Sequence, residues 1–198
     1  MTVWPVWSTD KLCLVLRRLL SRALGRLRGD IPLSTMVARG LVVGKNLVLG
    51  PGYIFDPANC HLISIGDDVC FGPGVYLLAH DASTKIHLDY TRIGPIAIGN
   101  RVFVGARAIV LPGVTVGDDA IIGAGSVVTR DVPAGAVVAG APATAIGTTD
   151  EYVAKHKTLM ADGRVWDAPW RARGELPPRE IQIEQAAALR SGHACYIE

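Results

Sequence analysis

Apolar residues recur at every sixth position through the middle of the chain. Within each six, the first position is aliphatic, the second is usually glycine and the fifth is small or β-branched. A helix cannot hold a six-residue register and an amphipathic strand alternates in twos, so this period predicts a parallel β-helix of short strands and tight turns. We expect first-position side chains to fill a narrow interior, fifth-position residues to lie near corners, and glycine to permit the corner backbone. The first positions are Ile98, Val104, Val110, Val116, Ile122 and Val128, followed by Ala134.

The same phase extends upstream, with two interruptions. Ten residues rather than six separate Phe55 from Ile65, and twenty-one rather than eighteen separate Leu77 from Ile98. The second interruption predicts that the chain leaves the coil over residues 79–95. Polar residues gather at both interruptions, and loops on a rigid scaffold commonly carry function. We therefore expect functional residues at these two places.

The chain ends predict helices. Residues 10–28 place leucines on one helical face and arginines on the other. Two interpretations of this helix stay open: a lid over the open end of the β-helix, which we favour because strand edges need protection, and a helix lying on a membrane surface. Further helices are predicted over residues 150–160 and 178–190, with an extended arm between them that carries Trp166 and Trp170.

The predicted organisation has three parts. Residues 1–32 hold the N-terminal amphipathic helix, residues 33–147 form the β-helix with its excursion loop at 79–95, and residues 148–198 form a C-terminal helical arm. The predicted fold class is therefore an all-β core, a parallel β-helix of hexapeptide repeats, with N- and C-terminal helices.

The composition is apolar enough to suggest a membrane protein, but the sequence argues against a membrane-spanning helix. Hydrophobic residues make up 49% of the 198 residues and mean hydropathy is +0.30. Even so, the longest uncharged stretch, residues 132–149, is interrupted by proline and glycine and cannot form a membrane helix. The high apolar content excludes a disordered chain, and the net charge of +2 gives no argument for nucleic acid. Arginines within the N-terminal apolar segment argue against a secretory signal, and four cysteines without CxxC spacing predict free thiols, so we expect a cytoplasmic protein.

Three segments resemble a known family, the hexapeptide-repeat acyltransferases. They are PGV at Pro112–Val114, IGAGSVVTRDVP at Ile122–Pro133 and AGAPA at Ala139–Ala143. The resemblance covers residues 40–147 and is greatest to the maltose, galactoside, nodulation-factor and polysaccharide O-acetyltransferases. It implies a left-handed β-helix, a homotrimer, acetyl-CoA bound between neighbouring subunits, and transfer of the acetyl group to a sugar or glycan precursor.

His80 is the candidate general base for this chemistry. A sugar hydroxyl is too weak an acid to react unaided at neutral pH, so a base must take its proton during attack. His80 ends a regular coil and begins the excursion, where related enzymes carry their base in a similar setting. Asp81 either orients the imidazole or caps the loop. Since no G-x-S-x-G motif occurs, we expect direct transfer without a covalent acyl-enzyme, with the oxyanion held by a backbone N–H near Gly105 or Ala106.

The resemblance also implies a donor site and an acceptor site, without a metal. Phe103 stands where the family often has a tryptophan that lines the pantetheine tunnel, and a core or interface aromatic is the alternative. Arg130 can supply charge for a phosphate, but Thr144 and Gly147 replace two basic residues of the family. The predicted donor residues are Phe103, Gly105, Ala106, Ala124, Thr129 and Arg130. The predicted acceptor residues are Asp56, Asn59, His61, Tyr90 and Arg92. For Tyr90 and Arg92 the alternative is that they anchor the excursion loop.

Three alternatives stay open. N-acetylation of an amino sugar needs the same kind of base as O-acetylation. A metal-dependent carbonic anhydrase on this fold needs three histidine ligands, and His80 and His87 are poorly placed for that. A non-enzymatic structural β-helix needs no catalytic residue.

Overall fold

The hexapeptide segments form short parallel strands that stack in register. The computed structural model describes residues 31–169 and 176–197, so the helix predicted over residues 10–28 lies outside the described residues. These residues belong to two compact units, and the boundary along the chain falls between Ile146 and Gly147. In the first unit the described chain passes through three parallel sheets in turn and returns to each once per coil. This is a parallel β-helix with three faces, as the six-residue period predicts.

Within residues 31–146, four coils of three strands each form the body of the first unit, with one excursion between the second and third coils. The chain enters through helix α1 (Leu33–Ala38), and a 3-10 turn (Cys60–Leu62) precedes the second coil. The first two coils contain β1 (Val42–Val43), β2 (Val48–Leu49), β3 (Ile54–Phe55), β4 (Ile63–Ile65), β5 (Cys70–Phe71) and β6 (Tyr76–Leu77). The excursion loop contains β7 (His80–Asp81), α2 (Lys85–Leu88) and β8 (Arg92–Ile93). The next two coils and the strands after them are β9 (Ile96–Ile98), β10 (Phe103–Val104), β11 (Ile109–Val110), β12 (Thr115–Val116), β13 (Ile121–Ile122), β14 (Val127–Val128), β15 (Ala136–Gly140) and β16 (Ala143–Thr148).

First-position side chains form the core of the β-helix. Val104, for example, lies between Phe71 of the coil before it and Ile122 of the coil after it. All three side chains are buried, as are fifth-position residues such as Ala108 and Ser126. Both kinds of position thus point inward, which confirms the interior that the repeat predicts.

The register changes after β14, and here the sequence prediction is wrong. Ala134, the predicted first-position residue, is exposed. Instead Val132 pairs with Val116, and Val138 pairs with Ile122. The interval after first-position Val128 is therefore two residues shorter than the usual six. This register buries Val132 and Val138 in the interior, where strict sixes would place Ala134 and Gly140.

Glycine occupies the second position for a different reason from the one predicted. Gly72 and Gly105 do not have positive φ angles, so a permissive corner backbone does not explain them. A Cβ on Gly72 would lie 2.6 Å from the backbone nitrogen of Ala106, and one on Gly105 would lie 2.4 Å from that of Ala124. Both distances are far below contact. The close approach of successive coils therefore requires these glycines.

The second unit contains two helices and a pair of parallel strands among its described residues. Helix α3 (Thr149–Asp162) begins at a capping box between Thr148 and Glu151, and α4 (Arg179–Arg190) lies between β17 (Arg164–Trp166) and β18 (Cys195–Ile197). A small core forms around Trp166, Ala168 and Ala188. Both predicted C-terminal helices are confirmed. None of the helices in the described ranges has the length and apolarity needed to cross a bilayer.

Replacement of second-position glycines tests the packing of the coils. Gly105→Ala should lower the free energy of unfolding by about 1–3 kcal/mol, because its Cβ meets backbone that cannot move aside. Gly123→Ala is the matched control at the same repeat position. Its Cβ would meet the side chain of Ala139 at 3.0 Å, so the loss should be smaller. Urea unfolding measures both variants, and equal losses would contradict this account.

Candidate functional site

The imidazole of His80 is held by a buried carboxylate from another coil. His80 opens β7, and its Nδ1 lies 2.5 Å from Oδ2 of Asp56, which directly follows β3. The side chain of Asp56 is fully buried, whereas that of His80 is 40% exposed. Because Nδ1 donates its hydrogen to the carboxylate, Nε2 is left with the lone pair that can accept a proton. The arrangement has the geometry of an oriented general base.

The charge of Asp56 is maintained by its hydrogen bonds. Burial by itself raises the pKa of this carboxyl, but the hydrogen bonds from His80 and from the side chain and backbone of Asn59 outweigh burial and lower the pKa below its ordinary value. Oδ1 also accepts from the backbone N–H of Ala58 at 3.2 Å. Asp56 is therefore ionised at neutral pH and can stabilise a positive charge on the imidazole.

These contacts decide between the two interpretations of Asp81 and correct the role predicted for Asp56. Oδ1 of Asp81 accepts the backbone N–H of Ser83 at 2.9 Å, so Asp81 caps the turn that follows β7, as the second interpretation predicts, and does not hold His80. Asp56 cannot bind an acceptor hydroxyl, because its side chain is buried and both carboxylate oxygens are engaged. The orienting residue was missed because it lies 24 positions away from His80. The available signal was an aspartate directly after the buried first-position Phe55, where the later coils have Leu78, Leu111 and Thr129.

The other predicted acceptor residues have different surroundings. Asn59 directs its side-chain Nδ2 at Asp56, 3.2 Å from Oδ2, and so supports the carboxylate. His61 is exposed in the 3-10 turn, and Tyr90 is 78% exposed on the excursion loop. Arg92 donates from Nη2 to the backbone oxygen of Pro112 at 3.2 Å, which fastens the loop to the third coil. Asn59 therefore lies next to the His80–Asp56 pair, whereas Arg92 holds the excursion loop against the third coil.

Two corners of the β-helix treat their backbone N–H groups differently. At the corner that follows the first sheet of each coil, the side chain of the next coil accepts the N–H: Lys45 donates to Asp67 at 2.7 Å, and Asp67 donates to Asn100 at 2.9 Å. We call the next corner along the chain, at residues 50–51, 72–73, 105–106 and 123–124, the open corner. There Pro51 and Pro73 have no N–H to satisfy.

The open corner leaves two backbone donors available in the third and fourth coils. The N–H groups of Ala106 and Ala124 have no acceptor among the described residues. Ala124 stacks on Gly105 and Ala106 on Gly72, so the two groups lie in one row along the corner. Adjacent β-strands are about 4.8 Å apart, which sets the spacing of the row. The row suits a ligand with successive carbonyl groups.

The remaining predicted donor residues lie in the same two coils. Phe103 points outward from β10 and is 46% exposed, so it is not a core aromatic of this chain. The N–H of Gly105 donates to the backbone oxygen of Ile122 at 2.8 Å. Gly105 therefore cannot supply an oxyanion donor, which corrects that prediction. Thr129 and Arg130 follow β14 and are exposed.

Within the described ranges, the cysteines and histidines form neither a disulfide nor a cluster that could bind a metal ion. Cys60, Cys70 and Cys195 are free thiols. Within residues 31–169 and 176–197, no three His, Cys, Asp or Glu side chains are grouped so that they could hold a metal ion.

Known proteins share this repeat. A family profile described as a hexapeptide repeat of succinyl-transferase matches residues 95–130. YvoF of Bacillus subtilis (strain 168), named as an acetyltransferase, is 33% identical over 157 residues, which cover 76% of this chain and 87% of YvoF. Galactoside O-acetyltransferase of Escherichia coli (strain K12) is 40% identical over 115 residues, which cover 52% of this chain and only 54% of that protein. Among solved structures, a galactoside acetyltransferase in complex with coenzyme A is 28% identical to this chain, with a TM-score of 0.49. The matched region covers 60% of this chain and 70% of that protein's chain.

The charge on Asp56 predicts a pH-dependent contribution to stability. The folded-state pKa lies below the ordinary value of 3.8, so the contribution is complete above that value and is lost as the pH falls through the folded pKa. Asp56→Asn should lower the free energy of unfolding by about 1–3 kcal/mol at pH 7, and this difference should shrink below about pH 4. Urea unfolding from pH 7 down to about pH 2.5, below the unfolded-state pKa, measures it.

Asp81→Asn is the matched control for this experiment. Hydrogen bonds from Ser83 lower the pKa of Asp81 as well. The side chain of Asp81 is not buried and an asparagine keeps an oxygen that can accept the N–H of Ser83, so this variant should lose much less stability than Asp56→Asn. A difference for Asp56→Asn that does not change with pH would contradict the role of its charge.

Proposed function

The chain belongs to the hexapeptide-repeat acetyltransferase family, and from this premise we propose that it transfers an acetyl group from acetyl-CoA to a hydroxyl of a sugar or glycan precursor. The hydrogen-bonded pair of His80 and Asp56 carries the proposal, because it leaves Nε2 of a partly exposed imidazole as a base at the start of the excursion loop. The galactoside O-acetyltransferase among its relatives supports a sugar hydroxyl as the acceptor.

His80 moves one proton twice in the proposed reaction. Nε2 takes the proton from the acceptor hydroxyl as the oxygen attacks the thioester carbonyl carbon. The tetrahedral species then collapses, the carbon–sulfur bond breaks, and the imidazolium returns the proton to the sulfur of CoA. Asp56 stabilises the imidazolium while it exists and holds the ring in one orientation. The acetyl group passes directly to the acceptor, without a covalent acyl-enzyme.

The open corner is the proposed binding place for the donor. The N–H groups of Ala106 and Ala124 would hold the amide carbonyls of the pantetheine arm, and the exposed ring of Phe103 would pack against that arm. Thr129 and Arg130 would meet the nucleotide end, where the guanidinium suits a phosphate.

Assembly and organisation are proposed with this function. We propose a homotrimer of left-handed β-helices that binds acetyl-CoA between neighbouring subunits. Outward apolar side chains on the sheets, such as Val48 at 57% and Ile54 at 40% exposure, supply surface for such contacts. Residues 33–147 would form the catalytic domain and residues 148–198 an arm, in a cytoplasmic protein. The choice of lid or membrane surface for residues 10–28 stays a prediction.

Removal of the base tests the proposal. In an acceptor panel assayed by release of free CoA thiol, the parent should acetylate sugar hydroxyls. His80→Ala should lower kcat by about 10²- to 10⁴-fold while acetyl-CoA binding by calorimetry persists. His87→Ala, an exposed histidine on the same loop, is the matched control and should retain activity. Unchanged turnover in His80→Ala would contradict the mechanism, and turnover of amino sugars alone would indicate N-acetylation instead.

Removal of a single backbone donor tests the open corner. Ala124→Pro deletes one N–H at a position where the first two coils already have proline, so the fold should tolerate it. Loss of one hydrogen bond of about 0.5–1.5 kcal/mol should raise the Kd for CoA roughly 3- to 10-fold, measured by calorimetry. Ala134→Pro, at an exposed position on another corner, is the control. An unchanged Kd for Ala124→Pro would place the donor elsewhere.

A further inference from the structure

A residue with left-handed backbone directly follows the open corner in every coil. In the first, second and fourth coils it is a glycine: Gly52, Gly74 and Gly125 have φ angles of 74°, 69° and 70°. The third coil has Arg107 at this position, with a φ of 58°. This backbone conformation suits glycine and strains a residue with a long side chain. Arg107 therefore stands where the fold by itself would favour glycine.

The backbone of the corner does not require the arginine. The N–H of Gly74 donates to the oxygen of Pro51 at 3.0 Å, and the N–H of Arg107 donates to the oxygen of Pro73 at 2.8 Å. The corner thus makes the same hydrogen bond with either residue. Arg107 is exposed, and its guanidinium forms no ion pair or hydrogen bond with any residue of the described ranges. Its charge is therefore available to a ligand.

Arg101 shows what a structural arginine looks like on this scaffold. It also has a left-handed backbone, with a φ of 53°. Its Nε and Nη2 each lie 2.7 Å from a carboxylate oxygen of Asp119 in the next coil. Such paired, charge-assisted hydrogen bonds offset the backbone strain. Arg107 has the same strain without a carboxylate partner in the part of the chain that the structure describes.

Arg107 lies at the end of the donor row that faces the second coil. The residue before it, Ala106, supplies the last N–H of the row. The side chain of Arg107 extends toward the second coil, where its Cγ would lie 3.3 Å from a Cβ on Gly74. The nucleotide end of acetyl-CoA is proposed to lie after β14, in the fourth coil. The thioester then lies at the opposite end of the row, next to Arg107.

We propose that Arg107 binds an anionic group of the acceptor, a carboxylate or a phosphate, so that the preferred acceptors are acidic sugars or glycan precursors. This inference rests on the proposed function, which brings the acceptor hydroxyl, the thioester and His80 together. A guanidinium recognises either anion through paired N–H donors. The base would hold the reacting hydroxyl while Arg107 holds the anionic group. Arg107 is a specificity-determining residue in this account.

Matched neutral and anionic acceptors test the proposal. For each of several hexoses, the methyl glycoside is compared with the methyl glycoside of its uronic acid and with the hexose 1-phosphate, by release of free CoA thiol. In the parent, kcat/KM should be roughly ten- to hundredfold higher for one of the anionic acceptors, mainly through a lower KM. This preference should weaken from about 50 mM to about 500 mM salt, because salt screens exposed charges. The two anionic arms show whether the carboxylate or the phosphate is recognised.

Arg107→Gly places at this corner the residue that the other three coils have. Its melting temperature should equal or exceed that of the parent, whereas its preference for the anionic acceptor should fall by roughly ten- to hundredfold. Arg107→Lys keeps a charge and should keep part of the preference. Arg101→Asn is the matched control, because it loses the pair with Asp119. This control should lower the melting temperature and leave the preference unchanged.

Three results would overturn the inference. They are a parent that prefers no anionic acceptor over its neutral counterpart, an unchanged preference in Arg107→Gly, and a rise in the Kd for CoA in Arg107→Gly that matches its loss of kcat/KM. The last result, measured by calorimetry, would assign Arg107 to the donor. Failure of the parent to acetylate any acceptor, neutral or anionic, would instead refute the proposed function.

Discussion

Successive coils of the β-helix approach so closely that a single added carbon atom does not fit between them at second-position glycines such as Gly72 and Gly105. This close stacking places each residue at a defined position relative to the residue one coil later. It lets the side chain of Asp67 meet the N–H of Lys45, and it builds a row of exposed donors from Ala106 and Ala124. Interior packing, corner chemistry and the proposed donor site all depend on the same spacing.

The excursion loop leaves the stack of coils, but the coils before and after it still pair in register. The chain leaves the stack after β6 and returns at β9, and the strands on either side still pair with those of the next coil. The loop is fastened on one face by Arg92 and carries His80 on the other. A mobile base would spend much of its time away from its substrate, whereas a base fixed at Nδ1 is ready to accept a proton. The scaffold therefore supplies the precision that a surface loop lacks.

Much of the fold could be predicted from the sequence because the repeat is strict. A six-residue period allows one way of burying Val104 and its counterparts, and the breaks after Phe55 and Leu77 indicate where polar chemistry collects. The change of register at Val132 was not predictable, since alanine and valine both fit the pattern. The partner of His80 was also missed, because the contact with Asp56 depends on which coil lies beneath the loop. Neighbouring Asp81 was the obvious candidate in sequence, but its geometry suits a turn instead.

Pro51 and Pro73 have a consequence for the scaffold as a whole. They occupy the open corner of the first two coils and contribute no N–H, so the row of available donors begins at Ala106 and has a definite length. Exchange of proline and alanine at this corner would move the row along the axis by one coil without any change of fold. The position of a binding site on such a scaffold is thus an adjustable property, encoded by the presence or absence of single hydrogen atoms.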